Sequence, residues 1–223
     1  MLTRLFLKIS IIAISLLAVV GVSQARGLNE IIESKTIRIG VNPNFPPMSS
    51  YGSTNEFEGF DIDIGNKIAA ALGVEAKFVP TETPQRVPFL VSDKIDISLG
   101  ALTRTTARSL LISYTAPLHT EAMAVLTTDK LDITKWKDLD DSKYTLANMR
   151  GNWTVGWTKD NLPNAKLELV DTLADTVRLV GQGRADAIVE NIDFFMAHTR
   201  NYTNVNWRVL SDTIFVAYCA IGV

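Results

Sequence analysis

Nine consecutive residues of this 223-residue chain, "GALTRTTAR" from Gly100 to Arg108, carry its densest chemistry. Gly100 and Ala101 let another group come close to the backbone. Thr103, Thr105 and Thr106 supply hydroxyls and N–H groups where a helix is expected to start. Arg108 adds a planar fork that suits a carboxylate, bidentate and charge-assisted. Together these parts make an anion site, most simply for a carboxylate. The same residues also describe a capped helix whose arginine pairs with a surface acid, and composition leaves both readings open.

The elements around this stretch say where it sits. "TIRIGV" (36–41), "AKFV" (76–79), "KIDISL" (94–99), "AMAVLTT" (122–128), "YTLAN" (144–148), "KLELV" (166–170) and "ADAIVE" (185–190) read as strands. Helical spacing fills the gaps between them. Ile64, Ile68 and Leu72 recur on one face of "DIDIGNKIAAALG", with Asp61 placed to cap it and Gly73 to end it. Leu173, Val177 and Val180 make a second stripe, with Asp171 or Thr172 as cap and Gly181 or Gly183 as terminator. Strand, helix, strand in repetition predicts an α/β protein with mostly parallel sheets. Such a sheet binds ligands beyond the carboxyl ends of its strands, which is where "GALTRTTAR" falls.

Targeting and charge narrow the function. Arg4 and Lys8, the uncharged run Ile9 to Val22, and Ser23-Gln24-Ala25 form the three-part pattern of a secretory signal peptide cut after Ala25. The run is shorter than the ~18 apolar residues a membrane span needs. Removing Arg4 and Lys8 takes the 22 basic residues to 20 against 24 acidic, a net charge of −4. That balance, without a basic block, argues against nucleic acid as a partner. Cys219 is the sole cysteine, so no disulfide forms within the chain. The two histidines, His119 and His198, sit in no metal-like or hydrolase spacing, and a lone histidine is expected to be structural.

"VNPNFPPMS" (41–49), "FEGFDIDIGNKIAAALG" (57–73), "RVPFLVSDKIDISLGALTRTTAR" (86–108), "NLPNAK" (161–166) and "GRADAIVEN" (183–191) occur in that order. The series resembles the family 3 solute-binding proteins, periplasmic receptors of polar amino acid ABC transporters. The resemblance implies a two-lobed, type II-like α/β fold in which each lobe is a mostly parallel sheet flanked by helices. The implied protein is a monomer without catalysis or cofactor, and it presents a small amino acid or organic acid to a membrane ABC permease. It assigns Phe45 to cover the ligand, Gly100 to receive its ammonium with Ala101 alongside, and Thr103 and Arg108 to hold its carboxylate. Arg86 stands where members that take acidic ligands have an arginine, and a structural salt bridge suits it equally. Asp61 and Asp63 are expected to act on the helix dipole rather than on a ligand.

Two departures set this chain apart. Where the family reads "VVSD", with a last aspartate for the ligand's ammonium, the chain has "IVEN", ending in Asn191. An amide oxygen accepts a hydrogen bond but offers no counter-charge. Glu190 carries a charge one residue earlier, and strand alternation points it away from Asn191 unless the strand has ended. The family's "AGTT"-like loop is altered to "RGNW" (150–153), where Arg150, Asn152 and Trp153 could make a second anion and stacking surface.

The resemblance also places lobe one over 26–120, lobe two over 121–217 and the start of a return over 218–223. It implies a further segment of about helical length after "YCAIGV", so a shortened chain is expected. Connections near His119–Met123 and Phe215–Cys219 would form a hinge. Two other classes stay open. One is a periplasmic enzyme like the arogenate or prephenate dehydratases, with Glu190 as general acid. The other is a sensor domain.

Overall fold

The computed structural model describes residues 26–223. The leader segment expected over 1–25 lies outside the described residues. Among those described, no helix is long and apolar enough to cross a membrane.

The chain opens with α1 (Leu28–Ser34) and β1 (Thr36–Val41), a three-stranded hairpin of β2 (Asn44–Phe45), β3 (Ser49–Tyr51) and β4 (Phe57–Glu58), then α2 (Phe60–Leu72) and β5 (Glu75–Pro80). After α3 (Arg86–Val91), β6 (Ile97–Ser98) and the short α4 (Thr106–Ser109) comes one long strand, β7 (Tyr114–Thr128). The second half holds β8 (Thr145–Met149), α5 (Trp153–Asn161), β9 (Lys166–Val170), α6 (Leu173–Gly181), β10 (Ala187–Asn191), α7 (Ile192–His198), β11 (Trp207–Val209) and β12 (Phe215–Gly222).

Strand order is β5-β1-β6-β12-β7-β10-β8-β9, with β11 paired to β7. The outer pairs β1–β5, β1–β6, β8–β9 and β8–β10 are parallel, while β7 and β12 run antiparallel to each other and to their neighbours. The two expected sheets are therefore joined through a central antiparallel ribbon. Separate apolar cores lie on either side. Ile37, Ile39, Val41, Ile62 and Leu99 pack with α2, and Leu146, Leu162, Ala187, Val189 and Leu210 pack under α5.

The expected α6 stripe of Leu173, Val177 and Val180 is buried, whereas in α2 Ile64, Ile68 and Leu72 only flank the core and Ile62, Gly65 and Ala69 lie innermost. Gly73, at φ +69°, ends α2 by donating its N–H to Ala69 and Ala70 carbonyls, and Thr172 caps α6 by accepting from the Asp175 N–H. Asp61 is not the cap of α2. Gly59 holds that position at φ +123°, and the loop carbonyls of Pro47 and Met48 take the Phe60 and Asp61 N–H groups at 3.2 and 2.8 Å. The backbone of "NFPPM" does the capping, which leaves the Asp61 carboxylate free to serve elsewhere. Strand 94–99 is another revision: only Ile97 and Ser98 pair as β6, because Asp93 at φ +57° turns the chain just before.

Candidate functional site

The carboxyl ends of β1, β6, β8 and β10 converge, together with the middle of β7, on one cavity. Asn42, Phe45, Thr83, Arg86, Gly100, Ala101, Thr103, Glu121, Met149, Asn152, Trp153, Leu173, Glu190 and Asn191 line it. Phe45, Arg86, Gly100, Ala101, Thr103, Asn152, Trp153, Glu190 and Asn191, all singled out from the sequence, are among them, whereas Arg108 and Arg150 are not. The cavity is small, about 20 Å³, room for roughly one water molecule. A second cavity of about 480 Å³ adjoins it, sharing Phe45, Glu121 and Asn191.

The loop after β6 forms one wall. Gly100 lies at φ +81° and Ala101 at φ +51°, a left-handed pair that turns successive backbone groups toward the cavity side. Three partners fix it. The Gly100 N–H donates to Asp61 at 3.0 Å, its carbonyl accepts from Arg86 Nη1 at 2.5 Å, and Thr103 bridges to Cys219 of β12. Burial pushes Asp61 up to about 7, against the pull of the Gly100 N–H. Arg86 is buried and held by the Thr83 and Gly100 carbonyls, and burial, then the charge of Arg108, lowers it to about 10. It stays cationic at neutral pH.

Arg108 reaches the same loop from outside. Its Nη1 donates to the Thr103 carbonyl at 2.9 Å, and its side chain lines a neighbouring cavity with Thr83, Pro84 and Gly151. That is its one hydrogen-bonded side-chain partner among the described residues, so most of its five donors stay available to an anion on this loop.

The opposite wall carries the acids. Glu190 Oε2 accepts from Asn152 Nδ2 at 2.6 Å, and Oε1 accepts from the Asn191 N–H at 3.0 Å. Asn191 caps α7 through the Phe194 N–H at 2.6 Å and turns its Nδ2 to Glu121 Oε1 at 3.2 Å. Glu190 and Asn191 thus both face the cavity. The alternation of β10 ends at its last residue, where Asn191 already belongs to the start of α7. Burial, then the neighbouring Glu121, pushes Glu190 up to about 8, against the hydrogen bonds from Asn191 and Asn152.

The aromatic residues close the ends. Phe45 stacks on Phe194 with ring centroids 6.1 Å apart, and Trp153 meets Phe215 edge-on at 4.9 Å. Arg150 is not part of the cavity; it pairs with Asp171 at the surface, 2.8 Å away. Asn42, Thr83, Glu121, Met149 and Leu173 were not foreseen. Asn42 and Thr83 follow the carboxyl ends of β1 and β5, a position that could have marked them. Glu121 precedes the strand expected over 122–128 and becomes part of it only because β7 begins at Tyr114.

A polar, water-sized cavity between two α/β halves, with a cation-braced loop on one wall and acids on the other, matches a known architecture. Residues 37–201 fit the family described as bacterial extracellular solute-binding proteins, family 3. The chain belongs to this family.

This solute-binding protein is 28% identical over 169 residues to the L-arginine-binding protein of Pseudomonas aeruginosa, covering 75% of the chain and 62% of that relative. It is 24% identical over 176 residues to a probable amino-acid ABC transporter-binding protein of Haemophilus influenzae, covering 74% and 65%. The chain thus spans less than two thirds of the length of these curated relatives. Among solved structures, an ancestral amino acid-binding protein, AncCDT-1, described as a precursor of cyclohexadienyl dehydratase, superposes with a TM-score of 0.80 at 27% identity. That match covers 88% of the solute-binding protein and 85% of the ancestral chain. The fold is therefore the two-lobed one that the motifs implied.

Proposed function

We propose that the chain is the periplasmic receptor of an ABC importer and captures a small amino acid between lobes 26–120 and 121–217 for a membrane permease. One observation carries the reading: the cavity sets loop N–H groups and a buried arginine against a pair of buried acids across a gap. That is the polarity of a zwitterion. The carboxylate would meet Thr103 and the Gly100–Ala101 turn, with Arg86 bracing the loop and Arg108 swinging to grip the anion. The ammonium would meet Glu190, backed by Glu121, so that the charge lost at Asn191 is replaced from two neighbouring strands. Phe45 and Trp153 would close over the carbon chain.

Closure follows from the ribbon. β7 and β12 pair directly from Phe215 opposite Met123 to Cys219 opposite His119, and a bend spread along this pairing would part the walls. The cavity holds only about 20 Å³, and in this reading the solute enters with the walls parted and is then sealed in. Contacts to both walls exist only once the cleft shuts, and they supply the free energy that favours the closed form.

A thermal-shift screen against amino acids and amine-free carboxylic acids tests this. A solute at 100-fold over Kd stabilises the folded chain by about 2.7 kcal/mol through mass action, and so raises the melting temperature. A shift with an amino acid is expected; shifts confined to amine-free acids would overturn the ammonium assignment.

The pH dependence separates the same alternatives. A bound ammonium favours ionised Glu190, so binding expels the proton that burial holds there up to about pH 8. Affinity for an amino acid should therefore rise from about pH 6 to pH 8, by up to about tenfold per unit. An amine-free acid should weaken over that range. Free-protein stability has the opposite sign: Glu190's folded value lies above its ordinary 4.5, so its contribution is complete below 4.5 and is lost as the pH climbs to about 8.

One observation favours a second reading. A carboxyl still protonated near neutral pH, buried in the cavity, is equipped to act as a general acid. Turnover of prephenate or arogenate, lost in Glu190→Gln, would establish a dehydratase on this fold.

A further inference from the structure

We propose that His119, Glu121 and Cys219 form a binding site for a divalent cation of the zinc class, seated on the ribbon between the lobes. The site shares Glu121 with the solute cavity, but zinc is titrated without any solute, so its failure and the failure of the solute reading are distinguishable.

Strand geometry assembles the three side chains. His119 and Glu121 are two residues apart on β7 and so share a face. Cys219 lies directly opposite His119 on β12. Their donor atoms all fall within 4.8 Å of one another. Cys219 Sγ is 3.3 Å from Glu121 Oε2, and His119 Nε2 is 3.8 Å from Glu121 Oε1. Zinc bonds of ~2.0–2.1 Å to nitrogen or oxygen and ~2.3 Å to sulfur, at tetrahedral angles, hold donors roughly 3.3–3.7 Å apart. The two spacings run to the two oxygens of the Glu121 carboxylate, and with all three donors inside 4.8 Å a small side-chain adjustment brings them to coordination distance.

A second, independent observation points to a ligand. Both ring nitrogens of His119 are shielded from solvent, and neither has a hydrogen-bond partner among the described residues. Orphaned buried polar atoms are rare in native proteins and call for an ion or a water. Phe60 closes one side of the ring edge-on at 5.9 Å, and the cavity of about 480 Å³ that His119 and Glu121 line gives a path from solvent. The donor set is also selective: one thiolate, one imidazole and one carboxylate suit zinc, whereas magnesium and calcium take oxygen ligands. Three protein donors leave a fourth position for water, and the thiol releases its proton to solvent on coordination.

Zinc alone, competed against a chromophoric chelator, tests the site in the purified chain. One zinc per chain is expected, with affinity at least about 100-fold weaker in both His119→Ala and Cys219→Ser. Circular dichroism without metal checks that both variants fold. Cobalt provides a readout independent of any variant: a thiolate-to-cobalt charge-transfer band in the wild type shows Cys219 on the metal. Absence of that band, or zinc affinity unchanged in His119→Ala, would overturn the proposal.

Discussion

Replacing Arg108 by alanine is expected to remove the solute-dependent rise in melting temperature while leaving the free protein folded. Replacing Arg86 by methionine is expected to lose both. The difference follows from what each guanidinium holds. Arg108 gives one hydrogen bond to the Thr103 carbonyl, and Thr103 stays tied to β12 through its bridge to Cys219 when that bond goes. The free protein should lose no more than about 1–2 kcal/mol. A carboxylate docking on Thr103 would lose its nearest mobile cation. A charge-assisted bidentate contact in a closed cleft is worth about 2–5 kcal/mol, a loss of roughly 30-fold to several thousand-fold in affinity.

Arg86 is embedded. It ties the Gly100 carbonyl to the Thr83 carbonyl, and it is the buried cation facing Glu121 and Glu190. Methionine fills a similar volume but leaves the buried Thr83 and Gly100 carbonyls unpaired, at a cost of about 1–3 kcal/mol each. Calorimetric melting without solute, set beside titration with the best solute of the screen, separates the two outcomes. Normal binding by Arg108→Ala would make that residue a brace for the loop and nothing more.

The second large effect is expected at Gly59. Alanine there would place a Cβ 2.5 Å from the Met48 carbonyl oxygen and 2.8 Å from that of Pro47, at a φ of +123° that side chains rarely adopt. Both neighbours are backbone groups already accepting from the first turn of α2, so neither can withdraw without uncapping the helix. Steric conflict, unfavourable φ and lost caps together should cost at least about 3 kcal/mol. The consequence reaches the site, because α2 carries Asp61, which holds the Gly100 N–H. Gly59→Ala should lower both the denaturation midpoint and the affinity for solute. Gly73→Ala, at the other end of α2 with no atom within 4 Å of the added Cβ, should cost about 1 kcal/mol and spare binding.

The sequence by itself determined the class of the fold, the buried face of α6, and most of the cavity lining. Those properties are local: apolar period, cap residues and strand ends are set by neighbours a few positions apart. The ordered motifs also pointed to Phe45, Gly100, Thr103 and Asn191, which line the cavity, because the loops carrying them lie at the carboxyl ends of strands, where parallel sheets present such groups.

Only the tertiary structure decided the rest. Asp61 reads as a helix cap until the loop carbonyls of Pro47 and Met48 are seen to occupy that role. Glu190 reads as outward-facing until the end of β10 brings it in beside Asn191. His119 reads as a lone structural histidine, and nothing local contradicts that. The pairing of β7 with β12 sets Cys219 opposite it, 100 positions away in the sequence. Strand register between distant segments is fixed by packing across the whole sheet, so no pattern within either segment can announce which side chains will meet.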